Sequence, residues 1–157
     1  MSRMRYASMD TMPSFMSLAL DEARAGAAAG EVPIGCVIVR NGEVIAQAHN
    51  RTLADRDPTA HCEMLAIRRA ADAFASERLV DCDLYVTLEP CAMCTAAISF
   101  ARIRRLYYGA ADAKGGAVES GVRFFASPTC HHRPEVYGGI AEAEAAGLLK
   151  DFFRERR

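Results

Sequence analysis

The chain has 157 residues, a formal net charge of −1, 51% hydrophobic residues and 25% charged residues. This length and composition predict one globular domain, residues 1–157. The near-neutral net charge gives no sign of nucleic-acid binding, so any such contact must come from local patches. We expect a cytoplasmic protein without a membrane segment, because no apolar run is long enough to span a bilayer and no signal-peptide pattern is present.

Hydrophobic periodicity and turn residues predict alternating strands and helices after a flexible start at residues 1–10. In chain order we expect a helix from Met16 to Ala27, strands over 34–40 and 44–48, a helix beginning near His61, a strand over 84–88, a helix over 91–101, a strand over 106–108 and a helix from Ala141 to Phe152. Asn41-Gly42 is a typical two-residue hairpin turn between the first two strands. This order predicts a mixed sheet covered by helices.

Two short segments contain the residue types of a zinc site. His61 and Glu63 lie two residues apart, and Pro90 precedes Cys91 and Cys94. A catalytic zinc ion takes three protein ligands and keeps a fourth position for water, whose pKa it lowers towards ~7. We interpret His61, Cys91 and Cys94 as the three ligands. Glu63 is a possible fourth ligand, but its position beside the site favours a proton-transferring carboxylate.

Both segments have the pattern of a helix start. Thr59 is a suitable N-cap for a helix with His61 and Glu63 in its first turns. Pro90 is typical of the first turn of a second helix, which would carry Cys91 and Cys94. Helix N-termini carry partial positive charge that favours thiolates. Two converging helix starts would therefore form a favourable zinc–thiolate site.

The cysteines allow other interpretations. A lone C-x-x-C pair is also found in redox proteins and zinc ribbons, but a redox pair would not require His61 and Glu63, and a ribbon needs a second pair. We interpret Cys62 as a packing residue. The contiguous run from Cys130 to His132 lacks ligand spacing, which favours a surface loop or a substrate contact over a second metal site.

H-x-E followed by P-C-x-x-C is the signature of zinc-dependent nucleobase deaminases. From about Met16 to Arg157 the chain resembles the bacterial tRNA-specific adenosine deaminases, a family within the cytidine-deaminase-like superfamily. The matching stretches are Glu31-Val32-Pro33-Ile34-Gly35, Asn50-Arg51, Asp57-Pro58-Thr59-Ala60-His61, 84–94, Arg102-Ile103, Asp112-Ala113-Lys114 and Asp151-Phe152-Phe153-Arg154. The zinc motif alone identifies the superfamily, and the flanking stretches narrow the resemblance to the tRNA enzymes.

The resemblance implies a three-layer α/β/α sandwich with a mixed sheet of about five strands, one zinc ion per subunit and a homodimer. It implies conversion of adenosine to inosine at the wobble position of tRNA, usually an arginine tRNA. By position, Glu63 would be the catalytic proton shuttle. The implied substrate contacts are Asn50 to the base, Ile34 in the base pocket, and Asp112, Lys114, Phe152 and Phe153 to the anticodon stem-loop.

The chain departs from the family pattern at two positions, and two alternative functions also fit the sequence. Many relatives carry a basic residue where Ala111 stands and alanine where Cys62 stands. The first alternative function is a free-base or nucleoside deaminase for guanine, cytosine or cytidine, which would use the same zinc site without the basic aromatic tail. The second is a noncatalytic, zinc-stabilised RNA-binding module, which would not require Glu63.

Overall fold

The computed structural model describes residues 14–156, so the predicted flexible start at 1–10 lies outside the described residues. The elements are α1 (Phe15–Ala28), β1 (Gly35–Arg40), β2 (Glu43–His49), α2 (Cys62–Phe74), β3 (Cys82–Leu88), α3 (Ala92–Phe100), β4 (Arg105–Ala110), a 3-10 turn (Phe124–Ala126), β5 (Glu135–Tyr137) and α4 (Glu142–Glu155). No helix within residues 14–156 combines the length and the apolar character needed to cross a bilayer.

The five strands form one mixed sheet in the order β2-β1-β3-β4-β5. Strand β1 is antiparallel to both of its neighbours, whereas β3, β4 and β5 are parallel. The β1–β2 hairpin turns at Asn41 and Gly42, which both have positive φ angles of 52° and 77°. The predicted Asn-Gly turn is therefore present, because these two residue types tolerate the left-handed conformation that a tight hairpin needs.

Helices cover both faces of the sheet and make the predicted three-layer α/β/α sandwich. On one face α2 and α3 pack on the central strands around a buried core that includes Ile38, Leu84, Ile98 and Leu106. On the other face α1 and α4 bury a smaller cluster that includes Met16 and Leu20. The two layers leave the carboxyl ends of β3 and β4 to be closed by loops, which is where α/β sheets place their ligands.

The helix starts differ by one or two residues from the prediction. Thr59 is not the N-cap of α2, because its N–H and hydroxyl both donate to Asp57 Oδ1, at 2.8 and 2.7 Å, and hold it in a turn before the helix. His61 takes the N-cap position of α2. Cys91 takes the N-cap position of α3, one residue after Pro90. Strand β5, three residues long, was not predicted, since so short a segment carries too little periodicity to detect.

Candidate active site

A cavity of about 240 Å³ lies at the carboxyl ends of β3 and β4. It is lined by Ile34, Asn50, His61, Glu63, Leu88, Glu89, Cys91, Asp112 and Gly115. The set combines two predicted zinc ligands with the predicted proton shuttle. It also contains three of the six residues predicted to contact substrate. The structure thus brings together residues from five separate parts of the chain.

The three predicted zinc ligands lie beside this cavity. The ligand atoms of His61, Cys91 and Cys94 all lie within 4.8 Å of one another. His61 Nδ1 is 3.5 Å from Cys91 Sγ and 3.6 Å from Cys94 Sγ. Tetrahedral zinc with Zn–N of about 2.0–2.1 Å and Zn–S of about 2.3 Å requires N···S separations of about 3.6 Å. The donor set therefore fits a zinc ion that is bound through Nδ1 of the imidazole.

The two thiols are electrostatically coupled. The hydrogen bond with Cys94, aided by His61, lowers the pKa of the Cys91 thiol to about 4 despite its partial burial. The hydrogen bond to Cys91 and burial raise the pKa of Cys94 well above its ordinary value, and repulsion by the negative charges of Glu63 and Cys91 adds to this rise. A divalent cation removes that repulsion and favours both thiolates, which is the ionisation that zinc requires.

Helix starts hold the ligands in place, as the sequence predicted in outline. The backbone carbonyl of His61 accepts a hydrogen bond from Leu65 N–H, at 3.1 Å, in the first turn of α2. The carbonyl of Cys91 accepts from Thr95 N–H at 2.9 Å and from the Thr95 hydroxyl at 2.6 Å. Because these carbonyls are fixed by their helices, the imidazole and the thiolate leave the backbone at fixed points.

Glu63 is the second residue of α2 and lies next to the ligands without belonging to their set. It is 4% exposed, and this burial raises the pKa of its carboxyl group above the ordinary value. The Cys62 thiol donates a hydrogen bond to Glu63 Oε1 at 3.1 Å. Cys62 is fully buried, in agreement with the predicted packing role, but its contact with Glu63 was not foreseen.

Asn50 lies at the end of β2 and joins the cavity to the start of α2. Its side-chain oxygen accepts a hydrogen bond from Cys62 N–H at 2.8 Å and so satisfies one of the unpaired N–H groups at the start of that helix. This bond commits the oxygen and leaves the NH₂ group as the donor that the side chain can offer to a ligand. Ile34 lines the same cavity and accepts a backbone hydrogen bond from Asn50 N–H at 3.2 Å.

The remaining predicted contacts differ in position. Asp112 lines the cavity, and its Oδ1 accepts hydrogen bonds from the backbone N–H groups of Lys114 and Gly115, at 3.1 and 3.0 Å. The side chain of Lys114 is exposed and does not line the cavity. Phe152 is 7% exposed, whereas Phe153 is 51% exposed and lines a separate groove with Lys150 and Arg154. Of the two rings, only Phe153 can stack on an RNA base in this conformation.

Comparison with known proteins identifies the family. The profile of the cytidine and deoxycytidylate deaminase zinc-binding region matches residues 9–110. The tRNA-specific adenosine deaminase of Agrobacterium fabrum is 64% identical over 143 residues, which are 91% of this chain and 94% of that protein. The chain belongs to the tRNA-specific adenosine deaminase family. The tRNA-specific adenosine deaminase of Bacillus subtilis is 43% identical over 143 residues, which are 91% of this chain and 89% of that protein.

Solved structures show the same architecture. A structure from biochemical and structural studies of A-to-I editing by tRNA:A34 deaminases superposes with a TM-score of 0.85 at 64% identity, covering 86% of this chain and 98% of that one. A guanine deaminase from Bacillus subtilis superposes with a TM-score of 0.61 at 32% identity, covering 90% and 91%. Family membership and the His-Cys-Cys group together assign zinc as the cofactor of this deaminase.

Proposed function

We propose that the protein catalyses hydrolytic deamination of adenosine to inosine at wobble position 34 of tRNA. The observation that carries this proposal is a buried carboxylate, Glu63, beside a three-ligand zinc site in one small cavity. Three protein ligands are typical of a catalytic zinc site that retains an open position. The 64% identity to a tRNA-specific adenosine deaminase supports adenosine in tRNA as the substrate.

The residues of the cavity divide the proposed chemistry among them. When bound, zinc would supply a water molecule activated at neutral pH. Glu63 accepts a proton from the water that attacks C6 of adenine and delivers it to ring N1. The carboxylate then takes the proton of the new C6 hydroxyl group and gives it to the exocyclic amine, which leaves as ammonia, so that adenosine and water give inosine and ammonia. The Asn50 NH₂ group and the Ile34 side chain hold the base in position.

Contacts at the edge of the cavity and beyond it would select RNA over free bases. Asp112 at the cavity edge and Lys114 beyond it lie on one loop after β4. Phe153 shares its groove with Lys150 and Arg154, an arrangement suited to stacking on a base beside a phosphate. Since a base in a single-stranded loop is extruded at low cost, the anticodon loop is a favourable substrate for so small a cavity.

We propose a homodimer formed through the layer of α2 and α3. Phe100 at the end of α3 is 68% exposed, although it is a large apolar residue. A groove of about 290 Å³ beside it is lined by Met64, Ile67, Arg68, Glu77, Ala97, Phe100 and Ala101. Exposed apolar surface rimmed by charged residues is typical of an interface. The proposed site of action is the cytoplasm, where tRNA is modified, and six cysteines without a disulfide bond suit that reducing compartment.

Guanine deamination is the second candidate, favoured by the 32% identity to the Bacillus subtilis guanine deaminase. The decisive experiment incubates the purified protein with an arginine-tRNA anticodon stem-loop and sequences position 34. A stem-loop with guanosine at that position is the matched control, and ammonia release is measured with free guanine, cytidine and adenosine. We expect inosine only in the adenosine stem-loop. Rapid turnover of free guanine with an intact wobble adenosine would refute the tRNA assignment.

A further inference from the structure

Glu89 is a buried carboxylate between β3 and the zinc ligands, and it is 2% exposed. Its Oε1 accepts hydrogen bonds from Asp112 N–H at 2.9 Å and from the Ser120 hydroxyl at 3.0 Å. Its Oε2 accepts from the N–H groups of Val118, Glu119 and Ser120, at 3.1, 2.9 and 3.0 Å. All five donors belong to the loop 112–120 that follows β4.

These bonds exclude Glu89 from proton transfer, although its side chain lines the cavity. Two carboxylate oxygens offer about four lone-pair positions, and five donors already occupy them. Moving a proton to Glu89 would break several charge-assisted hydrogen bonds at once. Within residues 14–156, by contrast, the one side chain that donates a hydrogen bond to Glu63 is Cys62. The carboxylate of Glu89 therefore shapes the cavity wall instead of reacting.

The loop approaches Glu89 too closely for a side chain at position 116. A Cβ atom on Gly116 would lie 2.5 Å from Glu89 Cδ and 2.5 Å from the carbonyl oxygen of Asp112. Next to it, Ala117 N–H donates to the Pro90 carbonyl at 2.9 Å. The segment 89–90 therefore binds the loop directly before the chain reaches Cys91. One short stretch thus sets the position of both the zinc ligand and the loop.

We propose that Glu89 is a positioning residue that fixes the loop 112–120 relative to the zinc site and so determines how the substrate is held. The carboxylate accepts hydrogen bonds from backbone N–H groups at both ends of the loop and so places Asp112 at the edge of the cavity. This inference rests on the proposed function, because the loop carries Asp112 and Lys114, the proposed RNA contacts. Without the Glu89 carboxylate, zinc would still bind, but the loop 112–120 would be displaced from the position in which it contacts the RNA.

The test replaces Glu89 by glutamine, which has the same shape but turns one acceptor oxygen into a donor NH₂ group. We expect Glu89→Gln to retain one zinc per chain. Hydrogen–deuterium exchange of peptide 112–120 should accelerate at least tenfold. The kcat/KM for the stem-loop should fall by about 10–100-fold, mainly through a higher KM, as expected when contact groups are misplaced by about 1 Å.

Asp83→Asn is the matched control, because Asp83 is a buried carboxylate at the opposite end of β3, paired with Arg104 at 3.0 Å. We expect this variant to lose stability without faster exchange in 112–120 or a higher KM. Ser120→Ala removes only the hydroxyl donor to Glu89 and should change KM in the same direction by about two- to fivefold. In a Glu89→Gln background the same substitution should have a smaller effect, because both act through one hydrogen bond.

Unchanged exchange in 112–120, or a kcat/KM within twofold of wild type in Glu89→Gln, would overturn the proposal. Loss of zinc from Glu89→Gln together with an equal loss from Asp83→Asn would also overturn it, by showing general destabilisation. If Glu89→Gln does not fold, Ser120→Ala alone decides, and an unchanged KM would count against the proposal. If the wild-type protein makes no inosine, the proposed function fails, and the exchange measurements still decide whether Glu89 holds the loop.

Discussion

Replacement of Glu63 by glutamine tests the proposed proton shuttle directly. Three carboxyl groups line the cavity: Glu63, Glu89 and Asp112. Glu89 accepts five hydrogen bonds, and Asp112 Oδ1 accepts two from its own loop. Glu89 is therefore not free to substitute for Glu63, and Asp112 is held through Oδ1 by its own loop. A general acid–base group contributes about 10²–10⁴-fold, and here one group serves several transfers.

We therefore expect Glu63→Gln to lower kcat by about 10⁴-fold, the upper end of that range, which corresponds to about 5 kcal/mol of transition-state stabilisation. Zinc content should remain at one per chain, because Glu63 is not one of the three clustered ligands. The melting temperature should change little, since glutamine keeps the shape of the side chain and removes a buried charge.

The assay measures inosine at position 34 of the stem-loop under single-turnover conditions, with zinc determined by elemental analysis. Glu43→Gln is the matched control, because Glu43 is exposed at the β1–β2 hairpin, at the opposite end of β2 from Asn50. This control should retain wild-type turnover. A Glu63→Gln variant that loses zinc would make Glu63 a ligand. A variant with more than about 1% of wild-type kcat would contradict its role as the sole proton shuttle.

Three further variants or treatments address the rest of the site. Cys62→Ala should lower kcat about tenfold, because it removes one hydrogen bond to the Glu63 carboxylate that is worth about 1.5 kcal/mol. Cys62→Ser should restore most of the kcat, and equal effects of the two substitutions would contradict this contact. Phe153→Ala should raise KM for the stem-loop by the equivalent of about 1–3 kcal/mol without a change in melting temperature. Phe152 is buried, so Phe152→Ala should instead lower the free energy of unfolding by about 3–5 kcal/mol in denaturant titrations. Chelation of zinc should abolish turnover and lower the melting temperature, and added zinc should restore both; activity that survives verified metal removal would contradict the zinc assignment.

The clustering of the three proposed zinc ligands was predictable because zinc chemistry demands particular side chains at short spacing. Histidine and cysteine are few in the sequence, and His61, Cys91 and Cys94 fall at helix starts that leave signals in the neighbouring residues. The hairpin at Asn41-Gly42 and the order of the elements were predictable for the same reason: each depends on local periodicity or on a turn residue. Family resemblance supplied the five-strand sandwich.

The hydrogen bonds of Glu89 were not predictable from the residues, because four of its five donors are backbone N–H groups. Every residue except proline has such a group, so the partners leave no trace in residue identity. They also lie 23 to 31 residues further along the chain. Gly116 offered a weak signal, as part of a Gly-Gly pair, but a glycine alone does not reveal which neighbour requires it.

The conformation of His61 explains how an H-x-E motif can serve one site. Two residues that are two apart within a helix diverge by about 200°, so their side chains could not meet. His61, however, precedes α2 in extended conformation, with φ −75° and ψ 148°, while Glu63 is already helical. Cys91 repeats this arrangement before α3, with φ −73° and ψ 175°, followed by the helical Cys94. In each pair one side chain leaves the turn before the helix and the other leaves its first turn, so both can approach one point in front of the helix N-terminus. The short spacing of both motifs is thus a consequence of placing the metal at two helix ends instead of along a helix face.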